Sequence, residues 1–187
     1  MSNDTLKTIK SRRAIRSFGD EQIKDSDLET LLEAARYAPS AMNRQSWHFT
    51  VIQNKELLKE MNSVGKKDAI HTAPDFMKEK MKSDTFSFWH GAPTVIIVSG
   101  ADDNRFTCAD CALACQNILL AAESLGINTC WINSGLMLFE GPSGQSFKER
   151  LSIPAGYTPL YSVAIGYIKG DKPSAPERKT DVVTYFK

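Results

Sequence analysis

The run Thr94-Val95-Ile96-Ile97-Val98 is apolar and β-branched without a break, between Pro93 and Gly100. A strand of this kind offers no polar face to water, so it fits a sheet that is covered on both sides. The chain has 187 residues, 42% of them hydrophobic, enough to supply the covering layers itself, and residues 1–187 are read as a single domain.

Covering helices are legible on either side of that strand. Ser26-Asp27-Leu28-Glu29 has the form of a capping box, and Leu28, Leu31, Leu32, Ala35 and Ala38 then recur at helical spacing until Pro39. A longer helix is predicted from about residue 106 to 125, ended by Gly126, with shorter ones near 56–61 and 146–151. Further strands are predicted at 48–52, 129–133 and 160–168. Residues 63–90, rich in Lys, Met and Phe with weak periodicity, read as a mobile, functional excursion. Past Gly170 an extended leader precedes Val182-Val183-Thr184-Tyr185-Phe186, whose β-propensity predicts a tail that adds to a sheet, that of another subunit included.

Charge narrows the choice of partners. Lys plus Arg number 23 against 22 Asp plus Glu, so no net field favours nucleic acid or an anionic membrane, and any basic site must be local. The start of the chain lacks the apolar core of a secretory signal, and no apolar run approaches the roughly 20 residues that span a bilayer. The expected location is cytoplasmic. In a reducing compartment the four cysteines are expected to be core thiols.

Three groups of residues invite a functional reading, each beside a plainer one. Arg12, Arg13 and Arg16 can grip phosphate with paired guanidinium donors, or form a solvated basic face partnered by Asp20 and Glu21. Ser40, Asn43 and Gln45, with Trp47 behind them, offer the mixed donors and acceptors that a flat heterocycle needs, or they cap the backbone of a helix-ending loop. Arg178 and Lys179 can close on a phosphate if the tail folds back, or remain solvated.

Cys108, Cys111 and Cys115 suggest a metal, but on a helix the outer two stand roughly 10 Å apart along the axis, too far for one small centre. His48, His71 and His90 show no ligand spacing, and no HExxH, GxSxG, P-loop or GxGxxG pattern occurs. A bound organic cofactor is therefore the expected source of any chemistry, with no protein-bound metal.

At this point the chain resembles the FMN-dependent nitroreductase family. The similar blocks are Arg12 to Phe18, Ala34 to Trp47, Asp110 to Trp131, and Ala164-Ile165-Gly166-Tyr167 with the basic tail. The resemblance implies an α+β fold, a mainly antiparallel sheet flanked by helices. It also implies a homodimer with one FMN at each of two interfacial sites and a swapped C-terminal strand from residues 182–186. Arg12, with Arg178 and Lys179, resembles the phosphate grip; Arg13 and Ala14 lie by the phosphate or ribityl chain, Ala14 standing where many relatives have Ser. Arg16 resembles the cation beside N1 and the C2 carbonyl that tunes the ring.

Pro39, Ser40, Met42, Asn43 and Gln45 resemble the block supplied by the other subunit, in which Ser46 replaces a common Pro and is expected to loosen the turn. Backbone at Ile132, Asn133 and Gly135 would complete the site, while Lys78, Lys80 and Lys82 stay unassigned. The implied activity is ping-pong transfer of hydride from NAD(P)H, through flavin N5, to a nitroaromatic, quinone or related small-molecule electron acceptor, with no side chain acting as catalytic acid or base. The alternative is a non-catalytic flavin-binding or flavin-delivering protein, or a redox sensor.

Overall fold

A computed structural model of the chain describes residues 3–70 and 73–187, so His71 lies outside the described residues. In chain order the elements are α1 (Asp4–Ser11), α2 (Asp25–Arg36), β1 (Trp47–Ile52), α3 (Lys55–Ala69), α4 (Asp75–Met81), β2 (Thr94–Ala101), α5 (Thr107–Ser124), β3 (Asn128–Ile132), α6 (Met137–Glu140), α7 (Gly144–Arg150) and β4 (Tyr157–Gly166). The four strands form an antiparallel sheet in the order β1-β2-β4-β3. The architecture is α+β.

Strand β2 is buried along almost its whole length, as its unbroken apolar run requires. Alternate residues serve two cores. Ile96 and Val98 face α2 and α5 through Leu31, Cys111, Cys115 and Ile118. Val95 and Ile97 face the opposite layer, with Met61 of α3, Met81 of α4, Leu138 of α6 and Phe147 of α7. Helix α5 is long and apolar because it lies between the sheet and α2.

Residues 12–18 extend the β3 edge. Ala14 bridges Thr129 in parallel, the Ile15 N–H donates to the Thr129 carbonyl at 2.9 Å, and Phe18 bridges Ile168. Among the described residues no helix is long and apolar enough to cross a membrane.

Several sequence expectations need correction. The capping box does not form: α2 starts one residue before Ser26, its N-cap Lys24 makes no side-chain bond, and Asp25 and Asp27 place negative charge at its positive end. The short helix expected at 56–61 continues to Ala69, begun by Asn54, whose side chain accepts from the Leu57 N–H at 3.0 Å. Its internal Gly65 lowers helix propensity, yet a Cβ there would stand 2.9 Å from the Phe88 ring. Residues 73–90 contribute Met81, Phe88 and Trp89 to the core, while 74–76, 79–80 and 82–85 are exposed. Cys108 is exposed, not core. In this single chain residues 182–186 form no strand, and Val182, Val183, Tyr185 and Phe186 are exposed.

Candidate functional site

The expected site residues fall at two corners of the sheet. Arg12, Arg13, Ala14 and Arg16 lie along β3, whose far end continues through Ile132 and Asn133 to Gly135. The Pro39 to Trp47 loop enters β1 at the other edge, where Trp47 pairs with Gly100 and Gly100 with Thr158. Ala14 meets Thr129, which pairs with Ile165, seven residues further along β4. At standard strand rise and spacing, four strand positions across and seven residues along amount to roughly 30 Å. Within one chain the Arg12 to Ala14 stretch and the loop therefore stand well apart.

At the first corner the guanidinium groups have little competition. Asp20, one of the partners considered for them, pairs with Lys55 at 3.2 Å, and among the described residues Arg12 and Arg16 form no ion pair. Arg13 turns back on the end of α1, donating from Nη1 to the Lys10 carbonyl at 2.8 Å and the Arg12 carbonyl at 2.7 Å. Positive charge is favoured there by the helix carbonyls. Its Nε is buried without a partner. Burial pushes the Cys130 thiol up, while Arg16 and Arg12 oppose that shift, so both cations act on the same stretch of β3.

Arg16 also lines an open cleft of about 710 Å³ with Lys80, Phe86, His90 and Lys169. Burial lowers the His90 imidazole below its ordinary range, and the charges of Arg16 and Lys80 lower it further. This assigns a place to Lys80, whereas Lys78 pairs with Asp75 at 3.4 Å and Lys82 with Glu79. A more enclosed cavity of about 350 Å³, floored by Trp89, Leu58 and Ala92, contains none of the expected site residues.

The second corner is a loop in an unusual conformation. Met42, Asn43 and Gln45 have φ of 54°, 53° and 49°, the left-handed region, with no glycine among them. Ser40 Oγ accepts from the Gln45 N–H at 3.0 Å, and Gln45 Nε2 donates to Asn43 Oδ1 at 3.2 Å. Met42 is 79% exposed. Ser46 does not loosen the turn: it is buried, and its hydroxyl donates to Asp110 Oδ2 at 3.0 Å and accepts from Asn104 Nδ2 at 3.0 Å. Asp110 escaped the sequence reading of the site, although it is the one charged residue between Thr107 and Ala122.

The turn after β3 is set by Trp89, whose Nε1 donates to Ser162 Oγ at 3.1 Å while that hydroxyl donates to the Ile132 carbonyl at 2.6 Å. Gly135 is buried against the same indole. Arg178 and Lys179 are exposed in the tail, and Arg178 Nη1 donates to the Pro176 carbonyl of its own segment at 3.1 Å. The single chain does not join them to Arg12 by any described contact.

The thiols of α5 are chemically quiet where they are buried. Burial, first, and then neighbouring Asp110 and Cys108 push Cys111 up to about 12; burial and then Cys111 push Cys115 up to about 12. A group raised that far stays protonated at about pH 8 and is a poor nucleophile. We therefore expect a thiol-specific reagent at that pH to label Cys108 rapidly in the native protein, and all four cysteines only after denaturation. Fast native labelling of Cys111 or Cys115 would contradict the packing of α5.

The sequence profile described as the nitroreductase family matches residues 9–167. A solved nitroreductase with bound FMN from Bacteroides fragilis is 34% identical and superposes with a TM-score of 0.93, covering 100% of both chains. Another with bound FMN, from Desulfitobacterium hafniense, is 34% identical with a TM-score of 0.92 and the same 100% coverage of each. An FMN reductase (NAD(P)H) of Bacillus subtilis is 27% identical over 192 residues, covering 98% of this chain and 73% of that protein.

Proposed function

This chain belongs to the nitroreductase family, and from that premise we propose that it is an FMN-dependent NAD(P)H oxidoreductase acting as a homodimer. The observation that carries the proposal is the separation of its two binding corners. A two-fold axis that sets the Arg12–Arg16 corner of one subunit against the loop corner of its partner makes two equivalent sites, each drawn from both chains.

Other features support a missing partner. Helix α1 has no buried residue, and Leu6 and Ile9 are 41% and 48% exposed. Eight residues whose apolar side is left partly exposed form a marginal helix in water. Leu113 of the packed helix α5 is exposed as well, as are the apolar residues of the tail. A crossing of residues 182–186 to the partner's sheet would cover them.

The residues present suit a flavin mononucleotide. Arg12 and Arg16 are uncommitted among the described contacts and Arg13 keeps a buried, unpartnered Nε donor, a donor set matched to phosphate and to ring carbonyls. Bound FMN would accept two electrons from NAD(P)H and pass them to a nitroaromatic, quinone or related electrophile. Arg12 would hold the phosphate, joined by Arg178 and Lys179 if the tail folds toward it. Arg16 would place positive charge at the pyrimidine edge of the ring and so stabilise negative charge gained there. Ser40, Met42, Asn43 and Gln45 of the partner line the rest of the ring edge, and backbone from Ile132 to Gly135 closes the other side.

An absorption spectrum before and after anaerobic NAD(P)H tests this reading. Purified protein, loaded with FMN, should show bound flavin that bleaches within the turnover time. Flavin that stays oxidised would instead mark a carrier or sensor, and protein that takes up no FMN would reject the assignment. Replacing Arg16 with alanine should weaken FMN binding by about 10- to 100-fold, the worth of one charge-assisted hydrogen bond, and slow reduction. Cys111→Ala, at a buried position away from the site, should leave flavin affinity unchanged and lower stability by about 1 kcal/mol.

A further inference from the structure

The 40–46 loop owes its shape only in part to hydrogen bonds among its own residues. Three non-glycine residues hold left-handed backbone within four positions, a conformation that Asn43 adopts readily but Met42 and Gln45 adopt at a cost that their surroundings must offset. Beside the loop's own hydrogen bonds and the exposed Arg44–Asp103 ion pair at 2.9 Å, its buried contacts centre on one side chain far away in the sequence. Asp110, 3% exposed, accepts the Ala41 N–H on Oδ1 at 3.0 Å and the Ser46 hydroxyl on Oδ2 at 3.0 Å. Asn104 Nδ2 donates to the same Oδ2 at 3.4 Å and to Ser46 Oγ, while its Oδ1 accepts the Phe106 N–H at 3.0 Å.

The carboxylate thus grips the loop at both ends, positions 41 and 46, and leaves residues 42–45 spanning between. Among the described residues no lysine or arginine pairs with it; it sits in the first turn of α5, where helix N–H groups favour negative charge. Strand β1 does not need this clamp to reach the sheet, because the Ala101 N–H already donates to the Ser46 carbonyl at 2.9 Å and β1 pairs with β2 from Trp47 onward. What the clamp determines is the shape of the loop.

We propose that Asp110 is a positioning residue for the cofactor: through Ala41 and Ser46 it fixes Met42, Asn43 and Gln45 in the conformation that meets the flavin ring held by the partner's arginines. The inference rests on the function proposed above. The side chain touches no ligand; it acts through the loop. An isosteric asparagine retains an acceptor for the Ala41 N–H but turns a donor toward the Asn104 amide, so it keeps half of the clamp.

The test compares Asp110→Ala, Asp110→Asn and Ser46→Ala with Cys115→Ala, a variant of the same helix that lowers stability without touching the loop. FMN affinity of the apo-protein, the visible spectrum of the bound flavin and the thermal midpoint are measured for each. Affinity should fall at least about tenfold in Asp110→Ala and by less in Asp110→Asn and Ser46→Ala, with an altered flavin band in all three. Cys115→Ala should keep the wild-type affinity and band despite its lower midpoint. If Asp110→Ala does not fold, Ser46→Ala decides. Wild-type affinity and spectrum in the loop-clamp variants, or equal flavin loss in Cys115→Ala, would overturn this proposal alone. Wild-type protein that takes up no FMN would overturn the underlying function and this inference with it.

Discussion

Two flavin-deficient variants of this chain are expected to repair each other. The first, Arg12→Ala with Arg16→Ala, removes the cations along β3; two charge-assisted contacts at about 1.5–3 kcal/mol each amount to at least a hundredfold in affinity. The second, Asn43→Pro, forces φ to about −65° where the loop has 53°, and removes the N–H that bonds the Ser40 carbonyl at 3.0 Å. In the proposed homodimer each variant alone would carry the same defect in both sites. A mixed dimer carries both defects in one site and none in the other. Heterodimers isolated through two different affinity tags should therefore hold about one flavin per dimer, and unselected mixtures should recover about a quarter of wild-type sites. Heterodimers as empty as the parents would mean that each site is built by a single chain, against the roughly 30 Å that the sheet puts between the corners.

Gly135→Ala should be strongly destabilising. Its Cβ would lie 2.5 Å from Trp89 Nε1 and 2.7 Å from Cζ2. The indole cannot yield easily: it is 2% exposed, packs edge-on to Phe88 and donates to Ser162. Overpacking costs about 1–3 kcal/mol, and displacing the indole would add a broken buried hydrogen bond of about 1 kcal/mol. Trp89→Phe removes the atoms that collide, so Gly135→Ala should be far less harmful in that background. Denaturant titration of the wild type, both single variants and the double variant should give a coupling above about 1 kcal/mol. Additive losses would show that the turn after β3 relaxes without the indole.

The parts of the fold that could be read in the sequence were those with strong local patterning. The unbroken run at Thr94, the 3.6-residue rhythm of α2 and the apolar length of α5 each admit few alternatives. Where tertiary packing overrides propensity, the reading failed. The helix expected at 56–61 runs on through Gly65, which inside α3 makes room for Phe88; Ser26 has a capping sequence but lies inside α2. Residues 73–90 have weak periodicity because they fill a layer with single large side chains, Met81, Phe88 and Trp89, rather than with one helix face.

The arginine and amide clusters were legible because their side chains carry unusual chemistry. Their separation was not, since distance across a sheet depends on strand order, which local pattern does not encode. Asp110 was hidden for the same reason: its partners at Ala41 and Ser46 are 69 and 64 residues away.

A loop bent by an external anchor rather than by glycines has a consequence for descent. Positions 42, 43 and 45 can exchange chemistry without rebuilding the backbone, but every newcomer must accept positive φ. Valine, isoleucine and threonine are disfavoured there on steric grounds, whatever a ligand would prefer. Mutational drift at these three positions is thus filtered by main-chain geometry first and by selection for a new substrate second.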